Sequence, residues 1–179
     1  RYVVEAMNLA GYGIAVPGVH EFDYGVSGLV GTLSKGAKHQ YISCNFTMTA
    51  NGQTVFKPYV IKTYGSAKVA YIGISDPQTI SKSGASFKNS DGSAAYSFAD
   101  GSGGKKLYEA VQNAIDEAKE AGADYIVAIG HLSTTGDAAY TPKSVIENTT
   151  GIQAFIDGNT HTAIVGEKVK GADGAEALL

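Results

Sequence analysis

The feature that most constrains the fold is a helix followed at once by a strand that is apolar on both faces. From Lys105 to Ala121 the apolar residues recur at helical spacing, and Gly122 ends the predicted helix. The run from Tyr125 to Ile129 is then apolar on both faces, which is typical of a central strand in an α/β sheet. The chain is therefore predicted to be a layered α/β domain.

Shorter β-type runs and helices alternate along the rest of the chain. Residues Arg1 to Ala10 form a predicted amphipathic helix that ends at Gly11. Two β-rich runs separated by Tyr64-Gly65-Ser66 predict an antiparallel hairpin. Strands are predicted over 14–16, 41–44, 58–63, 68–74, 125–129 and 152–156, helices over 26–34 and 142–148, and a strand, loop and strand over 165–179.

The segment 81–104 is rich in Ser, Gly, Ala, Asn and Asp, and it carries few apolar residues. This composition predicts a long excursion on the surface of the domain. The length of 179 residues suits one domain, and no internal repeat is visible. Residues 1–179 are therefore predicted to form a single domain.

Charge and composition exclude several classes of partner. The formal net charge of -3 favours neither nucleic acid nor an anionic membrane. No apolar run approaches the roughly 20 residues that span a bilayer. Because Cys44 is the only cysteine, the chain can form neither an intrachain disulfide nor a cysteine-based metal cluster. Arg1 is the only arginine, so almost no guanidinium group is available to bind a phosphate in bidentate fashion.

Three of the four histidines follow predicted strands. His20, His131 and His161 each come just past a strand, where open α/β sheets form their sites. We expect these three side chains to converge, although each one taken singly could be a polar loop residue. His39 is predicted to be a solvated surface residue. Asp23, three residues after His20, can orient the His20 imidazole as a general acid, or it can make a local turn contact without chemistry.

Five blocks of the sequence occur in one order along nearly the whole chain: Gly18–Asp23, Phe56-Lys57-Pro58-Tyr59, Lys68–Gly73, Gly130-His131-Leu132 and Gly158-Asn159-Thr160-His161. Together they resemble one family, the 5′-nucleotidase and cyclic-nucleotide phosphodiesterase branch of the calcineurin-like metallophosphoesterases. The family's Gly-Asn-His-Glu-Phe-Asp block is similar to Gly18–Asp23. The resemblance implies a partial four-layer αββα sandwich with mixed sheets.

The resemblance also implies a chemistry. Members of this family hold two divalent metals, such as Zn or Mn, which activate a water for attack on phosphorus. Their ligands are Asp-x-His, a bridging Asp, then Asn and three His. By this resemblance His20 and Asp23 correspond to the pair that protonates the leaving group. His131 and His161 correspond to metal ligands.

The departures from the family pattern change this expectation. Val19 stands where the ligand Asn belongs, and its isopropyl group cannot coordinate a metal. Asn159 stands in place of a ligand His and is a weaker donor for Zn or Mn. The family's Asp-x-His and Gly-Asp blocks are not in this sequence, and the first and last strands are expected to be missing. We therefore expect no bound ion, or one weakly bound through His131, His161 and Asn159.

The sequence is compatible with three functions. The first is a phosphoesterase domain that acts on nucleotides or small phosphate esters, with impaired activity in this chain. The second is a pseudoenzyme that serves as a cell-surface binding or structural module. The third is a truncated or deliberately altered version of an active phosphoesterase. The resemblance implies an extracellular, cell-surface or periplasmic location, and exposed sheet edges predict a homodimer.

Overall fold

Six strands form one mixed sheet that organises the chain. The computed structural model describes residues 2–83, 87–135, 137–164 and 166–179. The strand order in the large sheet is β4-β5-β7-β8-β10-β9, and two small sheets pair β1 with β2 and β3 with β6. The strands are β1 Ile14–Ala15, β2 Gln40–Tyr41, β3 Phe46–Met48, β4 Tyr59–Tyr64, β5 Ala67–Ser75, β6 Tyr96–Phe98, β7 Tyr125–His131, β8 Ala154–Asp157, β9 Lys168–Lys170 and β10 Glu176–Leu178. The predicted α/β class with mixed sheets is confirmed.

Parallel pairing in the centre of the sheet sets the position of the site. Strands β5 and β7 are parallel from the pair Val69–Tyr125 to the pair Ser75–His131, and β8 continues parallel beside β7. Strands β4 and β5 form the predicted antiparallel hairpin. Strands β9 and β10 lie within the predicted strand, loop and strand of 165–179, and they pair antiparallel. The carboxyl ends of β5, β7 and β8 therefore meet at one edge of the sheet.

The helices differ in length and in regularity. The longest, α5, begins at Lys105 and ends at Glu120, and Gly122 follows in a left-handed conformation, as the sequence predicts. The predicted helix over 26–34 is three joined pieces, because a π-helical stretch at Leu29–Leu33 links α2 to α3. The helices are α1 Tyr2–Ala10, α2 Gly25–Gly28, α3 Ser34–Gly36, α4 Thr79–Lys82, α5 Lys105–Glu120 and α6 Pro142–Glu147. In the part of the chain described, no helix is long and apolar enough to cross a membrane.

Helix α5 covers one face of the large sheet. Its apolar stripe packs against alternate residues of β5 and β7, which point to the same side of the sheet. Full burial of each large aliphatic side chain contributes about 1.5–3 kcal/mol of transfer free energy. The large buried side chains of this core include Leu107, Val111, Ile115, Ile72, Ile74 and Ile126.

A short buried segment crosses the opposite face of β5. A β-carbon on Gly73 would lie 2.4 Å from the carbonyl oxygen of Ile42, so only glycine allows this crossing. The Asn45 side chain then bonds both the N–H and the carbonyl of Ser75, at 2.9 and 2.8 Å. Ser43 and Ser75 share a hydroxyl hydrogen bond of 3.0 Å. This network is buried and hydrogen-bonded, so it fixes the end of β5.

A second core, made of aromatic rings, lies beside the small sheet of β3 and β6. Phe22 contacts Phe46, Phe87 and Phe98 at ring-centroid distances of 5.2, 5.1 and 5.8 Å. The segment 81–104 was predicted to be a surface excursion, but it supplies Phe87 and Phe98 to this core, together with strand β6. Widely spaced aromatics in a polar segment are enough to anchor it. Residues 84–86 of this segment lie outside the described part.

The prediction for His39 was wrong. His39 is 4 % exposed rather than solvated, and its ring packs edge-on against Tyr41 at 4.9 Å. Neither ring nitrogen has a hydrogen-bond partner among the described residues. Burial lowers the pKa of His39, because a charged imidazole loses its hydration there. The polar local sequence gave no signal of this burial, which depends on residues from distant parts of the chain.

Candidate functional site

Three parallel strands end together, and a turn from the N-terminal part of the chain lies across their ends. Ser75 is in register with His131, and Gly130 with Asp157. The Ser75 hydroxyl donates a hydrogen bond of 3.3 Å to the carbonyl of Pro17, which directly precedes the turn. The turn therefore lies at the edge where an open α/β sheet places a site.

The turn itself is held by local hydrogen bonds. It is a single 3₁₀ turn over Val19–Phe22. The Glu21 carboxylate accepts the N–H of Gly18 at 2.9 Å, which satisfies a donor that the short helix cannot pair internally. The N–H of Asp23 donates to the carbonyl of His20 at 3.2 Å. The turn therefore carries its own stabilising contacts.

His20 and Asp23 form the predicted pair. Nδ1 of His20 lies 3.1 Å from Oδ2 of Asp23. Their side chains are 85 % and 52 % exposed, so the pair faces solvent. Exposed ion pairs contribute little to stability, about 0–1 kcal/mol, and this contact therefore has little structural purpose. The proton-donating role of His20 and Asp23 stays a prediction.

His131 is enclosed between two glycines. A β-carbon on Gly18 would lie 2.7 Å from Cε1 of His131, and one on Gly158 would lie 3.6 Å from Nδ1. Burial lowers the pKa of His131, and the negative charges of Glu21 and Asp76 partly offset this effect. His131 thus lies at the centre of the edge, and its ring packs directly on the backbone of the turn.

The loop after β8 holds the other predicted residues. Asn159 and His161 both adopt left-handed backbone conformations, with φ of 68° and 52°. Asn tolerates this region better than most residues, which gives position 159 a conformational reason for its asparagine. His161 is exposed. Its predicted role as a ligand, and that of Asn159, stay predictions.

Sequence reasoning missed two carboxylates at this edge. Asp76 directly follows β5, is 2 % exposed, and lies 3.6 Å from Nζ of Lys82. Asp157 ends β8, where Oδ1 accepts the N–H of Leu132 at 2.8 Å and Oδ2 is buried with no partner among the described residues. Burial raises the pKa of Asp157 to about 7, against the lowering effect of hydrogen bonds from Leu132 and Gly158. The sequence signal for Asp76 and Asp157 was that each carboxylate lies at or just past the end of an apolar strand.

The described residues do not fit the two-metal centre that the resemblance implies. No three His, Cys, Asp or Glu side chains among them are grouped so that they could hold one ion. At the family's Asn position the side chain of Val19 offers no donor atom. A dinuclear centre needs a bridging carboxylate and several donors for each ion. The donor set of this edge therefore lacks what such a centre requires.

Relatives of the chain are named nucleotide phosphoesterases. A 2′,3′-cyclic-nucleotide 2′-phosphodiesterase/3′-nucleotidase of Salmonella typhimurium is 28 % identical over 196 residues, covering 99 % of this chain and 28 % of the relative. The trifunctional nucleotide phosphoesterase YfkN of Bacillus subtilis is 31 % identical over 176 residues, covering 89 % of this chain and 11 % of the relative. A snake venom 5′-nucleotidase of Crotalus adamanteus is 27 % identical over 168 residues, or 90 % and 25 % of the two chains. The chain thus spans about a quarter or less of these relatives. No family model matches.

Solved structures agree with these relatives. The calcineurin-like phosphoesterase YfkN from Bacillus subtilis superposes with a TM-score of 0.74 at 28 % identity, over 89 % of this chain and 48 % of the other. A 5′-nucleotidase precursor from Thermus thermophilus gives a TM-score of 0.75 at 24 % identity, over 98 % of this chain and 34 % of the other. This likeness supports the fold. The resemblance that the sequence motifs predict is confirmed.

Proposed function

We propose that this chain, which is similar to the calcineurin-like phosphoesterases of the 5′-nucleotidase and cyclic-nucleotide phosphodiesterase branch, descends from a metal-dependent hydrolase of nucleotide phosphate esters. Its turnover is expected to be absent or strongly impaired, because Val19 and Asn159 stand at positions where the family has metal ligands. Its substrate class, where activity remains, is a nucleotide or another small phosphate ester.

The donor set at the sheet edge carries this proposal. Catalysis of phosphoester hydrolysis in this family depends on charge neutralisation by metals, and each lost ligand weakens it. Val19 removes one donor, and Asn159 replaces a histidine by a weaker one. His131 and His161 remain as the predicted ligands. Two histidines are fewer than the several donors that two ions need.

A pseudoenzyme that keeps the fold as a binding or structural module is the second candidate. Val19 favours it, because an apolar side chain at a ligand position is of no use to a metal-dependent enzyme. An extracellular, cell-surface or periplasmic location is proposed with it. The support for this location is the relative that is named as a snake venom 5′-nucleotidase.

Retained activity is the third candidate, and the His20–Asp23 contact of 3.1 Å favours it. In this case residues outside this chain would supply the carboxylate ligands. The chain's own contribution would then be the proton transfer to the leaving group, with Asp23 orienting the imidazole of His20.

One experiment separates retained activity from the other two candidates. The purified chain is incubated with Mn²⁺ or Zn²⁺, and hydrolysis of p-nitrophenyl phosphate and of a nucleoside monophosphate is followed. We expect turnover near background, and no tight metal binding by calorimetry. Metal-dependent turnover that the His131→Ala variant abolishes would overturn the proposal. Turnover that survives His131→Ala would indicate a contaminating phosphatase and leave the expected result standing.

A homodimer is proposed through a sheet edge. Strands β4 and β9 are the two edges of the large sheet. Strand β9 carries Lys168 and Lys170, and edge lysines oppose pairing with a second copy. Strand β4 is longer and carries a single lysine, Lys62, so it is the better edge. Analytical ultracentrifugation over a range of concentrations tests this, and a monomer throughout the range would exclude it.

A further inference from the structure

A pocket of about 320 Å³ lies between two neighbouring segments of the chain. Ile42 and Lys57 pair in a parallel bridge, and the N–H of Ser43 donates to the carbonyl of Lys57 at 3.0 Å. These backbone contacts hold residues 39–41 beside residues 55–57, and both stretches line the pocket. A volume of this size is at the lower end of the range of small-molecule sites.

A buried imidazole without a partner lines this pocket. His39 is 4 % exposed, whereas the other described residues of the lining are partly or fully exposed. Both Nδ1 and Nε2 of His39 are buried, and neither has a hydrogen-bond partner among the described residues. Buried polar groups in proteins are nearly always hydrogen-bonded. An imidazole with two unpaired nitrogens beside a cavity therefore points to a partner that the chain itself does not supply.

The imidazole can present its nitrogens to the pocket by turning over. Because His39 lines the pocket while both nitrogens are shielded from solvent, the carbon side of the ring faces the cavity. A turn of 180° about the bond from Cβ to Cγ keeps the shape of the ring and exchanges its nitrogens with its carbons. The edge-on packing against Tyr41 at 4.9 Å is thereby kept. In the turned ring, an N–H can donate to a bound molecule.

The rest of the lining favours an anion with an apolar body. Lys57 is exposed and is the one charged side chain among the described residues of the lining, and it makes no ion pair within the described part of the chain. The rings of Tyr41 and Phe56 pack at 5.8 Å and form apolar walls together with Val55. A hydrated inorganic ion gains nothing from such walls, whereas an organic acid buries its apolar body against them.

From these features we propose that the pocket binds a small monocarboxylic acid with an aromatic or branched aliphatic body. Its carboxylate accepts from the turned His39 ring and lies near the ammonium group of Lys57, and its body packs against Tyr41 and Phe56. Hydrogen bonds to an ionised acceptor are about twice as strong as neutral ones. His20, His131 and Asp157 do not line this pocket, so the proposal does not rest on the proposed function.

Sodium benzoate is the probe, and benzyl alcohol, which has the same ring without the charge, is its neutral counterpart. Binding of each to the whole chain is measured without metal, by calorimetry and by saturation-transfer NMR. We expect benzoate to bind at least about tenfold more tightly than benzyl alcohol, the size of one charge-assisted hydrogen bond. Inorganic phosphate, which has no apolar body, should not displace benzoate.

Two lysine variants test the charge. Lys57→Gln should weaken benzoate binding about tenfold and leave the binding of benzyl alcohol unchanged, because it removes the positive charge from the lining. Lys62→Gln is the matched control, since it removes an exposed lysine of β4 that does not line the pocket, and it should change neither affinity. Both lysines are exposed, so both variants should fold normally.

The imidazole of His39 gives a readout that packing alone would not change. On addition of benzoate the nitrogen NMR signals of its ring should shift, and benzyl alcohol should leave them in place. Comparison with His39→Phe identifies these signals. No binding of benzoate, equal binding of benzoate and benzyl alcohol, displacement by phosphate, unchanged affinity in Lys57→Gln, or unmoved ring signals would each overturn the proposal.

Discussion

The backbone of Gly18 lies so close to the imidazole of His131 that a β-carbon at position 18 would be 2.7 Å from Cε1 and 2.8 Å from Nε2. The dihedral angles of Gly18, φ −90° and ψ −178°, are extended and open to any residue. The ring contact alone therefore requires glycine here. It joins the N-terminal turn to the central strand of the sheet.

Gly18→Ala should lower the free energy of unfolding by about 1–3 kcal/mol, because the added methyl overlaps a half-buried ring. Urea denaturation measures this loss. Gly13→Ala is the matched control, since a β-carbon on Gly13 meets nothing within 4 Å. The double variant Gly18→Ala, His131→Ala should lose less stability than the sum of the losses in the two single variants, because the added methyl no longer meets the ring. Strict additivity would contradict the contact.

Restoring donors at two positions should create a metal site. The double variant Val19→Asn, Asn159→His returns the family's side chains beside His131, and we expect its affinity for Zn²⁺ to exceed that of the wild type by at least about tenfold, or 1.4 kcal/mol. Calorimetry measures it. Histidine at position 159 should cost about 1 kcal/mol of stability, because the backbone there is left-handed.

Val30→Asn is the control for this metal experiment, because Val30 is a partly exposed valine outside the site. It should bind Zn²⁺ no better than the wild type. An unchanged affinity in the double variant would show that the loop after β8 and the N-terminal turn do not place their side chains around a common ion.

His39 should make stability depend on pH. Burial lowers its pKa below the ordinary value of 6.5, so the unfolded chain binds a proton more readily than the folded one. The stability is therefore complete above about pH 6.5 and is lost as the pH falls through the lower folded pKa. His39→Phe keeps a ring against Tyr41 and should reduce this loss by on the order of 1 kcal/mol at pH 5.

Denaturation in urea at pH 5 and at pH 8 measures the difference. His161→Gln removes an exposed histidine and is the matched control. Some pH dependence should persist in His39→Phe, because burial also lowers the pKa of His131. A profile identical to that of the wild type would mean that His39 is hydrated in solution.

Asp157 should make stability depend on pH in the direction opposite to that of His39. Its pKa is raised to about 7, so the folded chain keeps a proton that the unfolded chain releases near its ordinary pKa of 3.8. Its stabilising contribution is complete below the unfolded pKa and is lost as the pH rises through about 7. Asp157→Asn removes this dependence.

The stability of Asp157→Asn relative to the wild type should therefore improve by about 1–3 kcal/mol between pH 4 and pH 8. Thermal denaturation at the two pH values tests this. Glu120→Gln, which neutralises an exposed carboxylate at the end of α5, serves as the comparison. A relative stability that does not change with pH would show that Asp157 is solvated.

Cys44 should be unreactive in the folded chain. Burial raises its pKa to about 12, and the thiolate is the reactive form. We expect Ellman's reagent to react with the native chain at least about a hundredfold more slowly than with the chain in urea. A fast native reaction would mean that the cover over Cys44 opens readily.

Local patterns predicted the parts of the fold that depend on local spacing. Helix α5 and strand β7 follow from periodicity within about fifteen residues, and the His20–Asp23 contact follows from a spacing of three. The burial of His39 does not follow from local spacing, because it depends on packing around Tyr41 and Phe56. Phe87 and Phe98 likewise find their partners across the chain. Long-range packing of this kind leaves no trace in a local window.

In the candidate site, too, the sequence predicted what depends on strand ends and not what depends on a whole loop. The strand-end rule applied to His131, since the parallel register of β5, β7 and β8 brings those strand ends together. His20 follows β1, which belongs to a separate small sheet, so its position depends on the packing of Gly18 against His131. The strand-end rule also applied to Asp76 and Asp157, but a single carboxylate after a strand is too common to stand out. The left-handed backbone at Asn159 and His161 depends on the whole loop, so the sequence did not reveal it.

The turn from Gly18 to Asp23 has a consequence for how such chains change over evolutionary time. Gly18 leaves room for a ring, Glu21 pairs a backbone N–H, and Phe22, fully buried, anchors the aromatic core. Folding alone thus demands these three residues, whether or not any reaction takes place. A lineage that abandoned catalysis would still keep them under selection for stability. The signature therefore records descent more durably than it records chemistry.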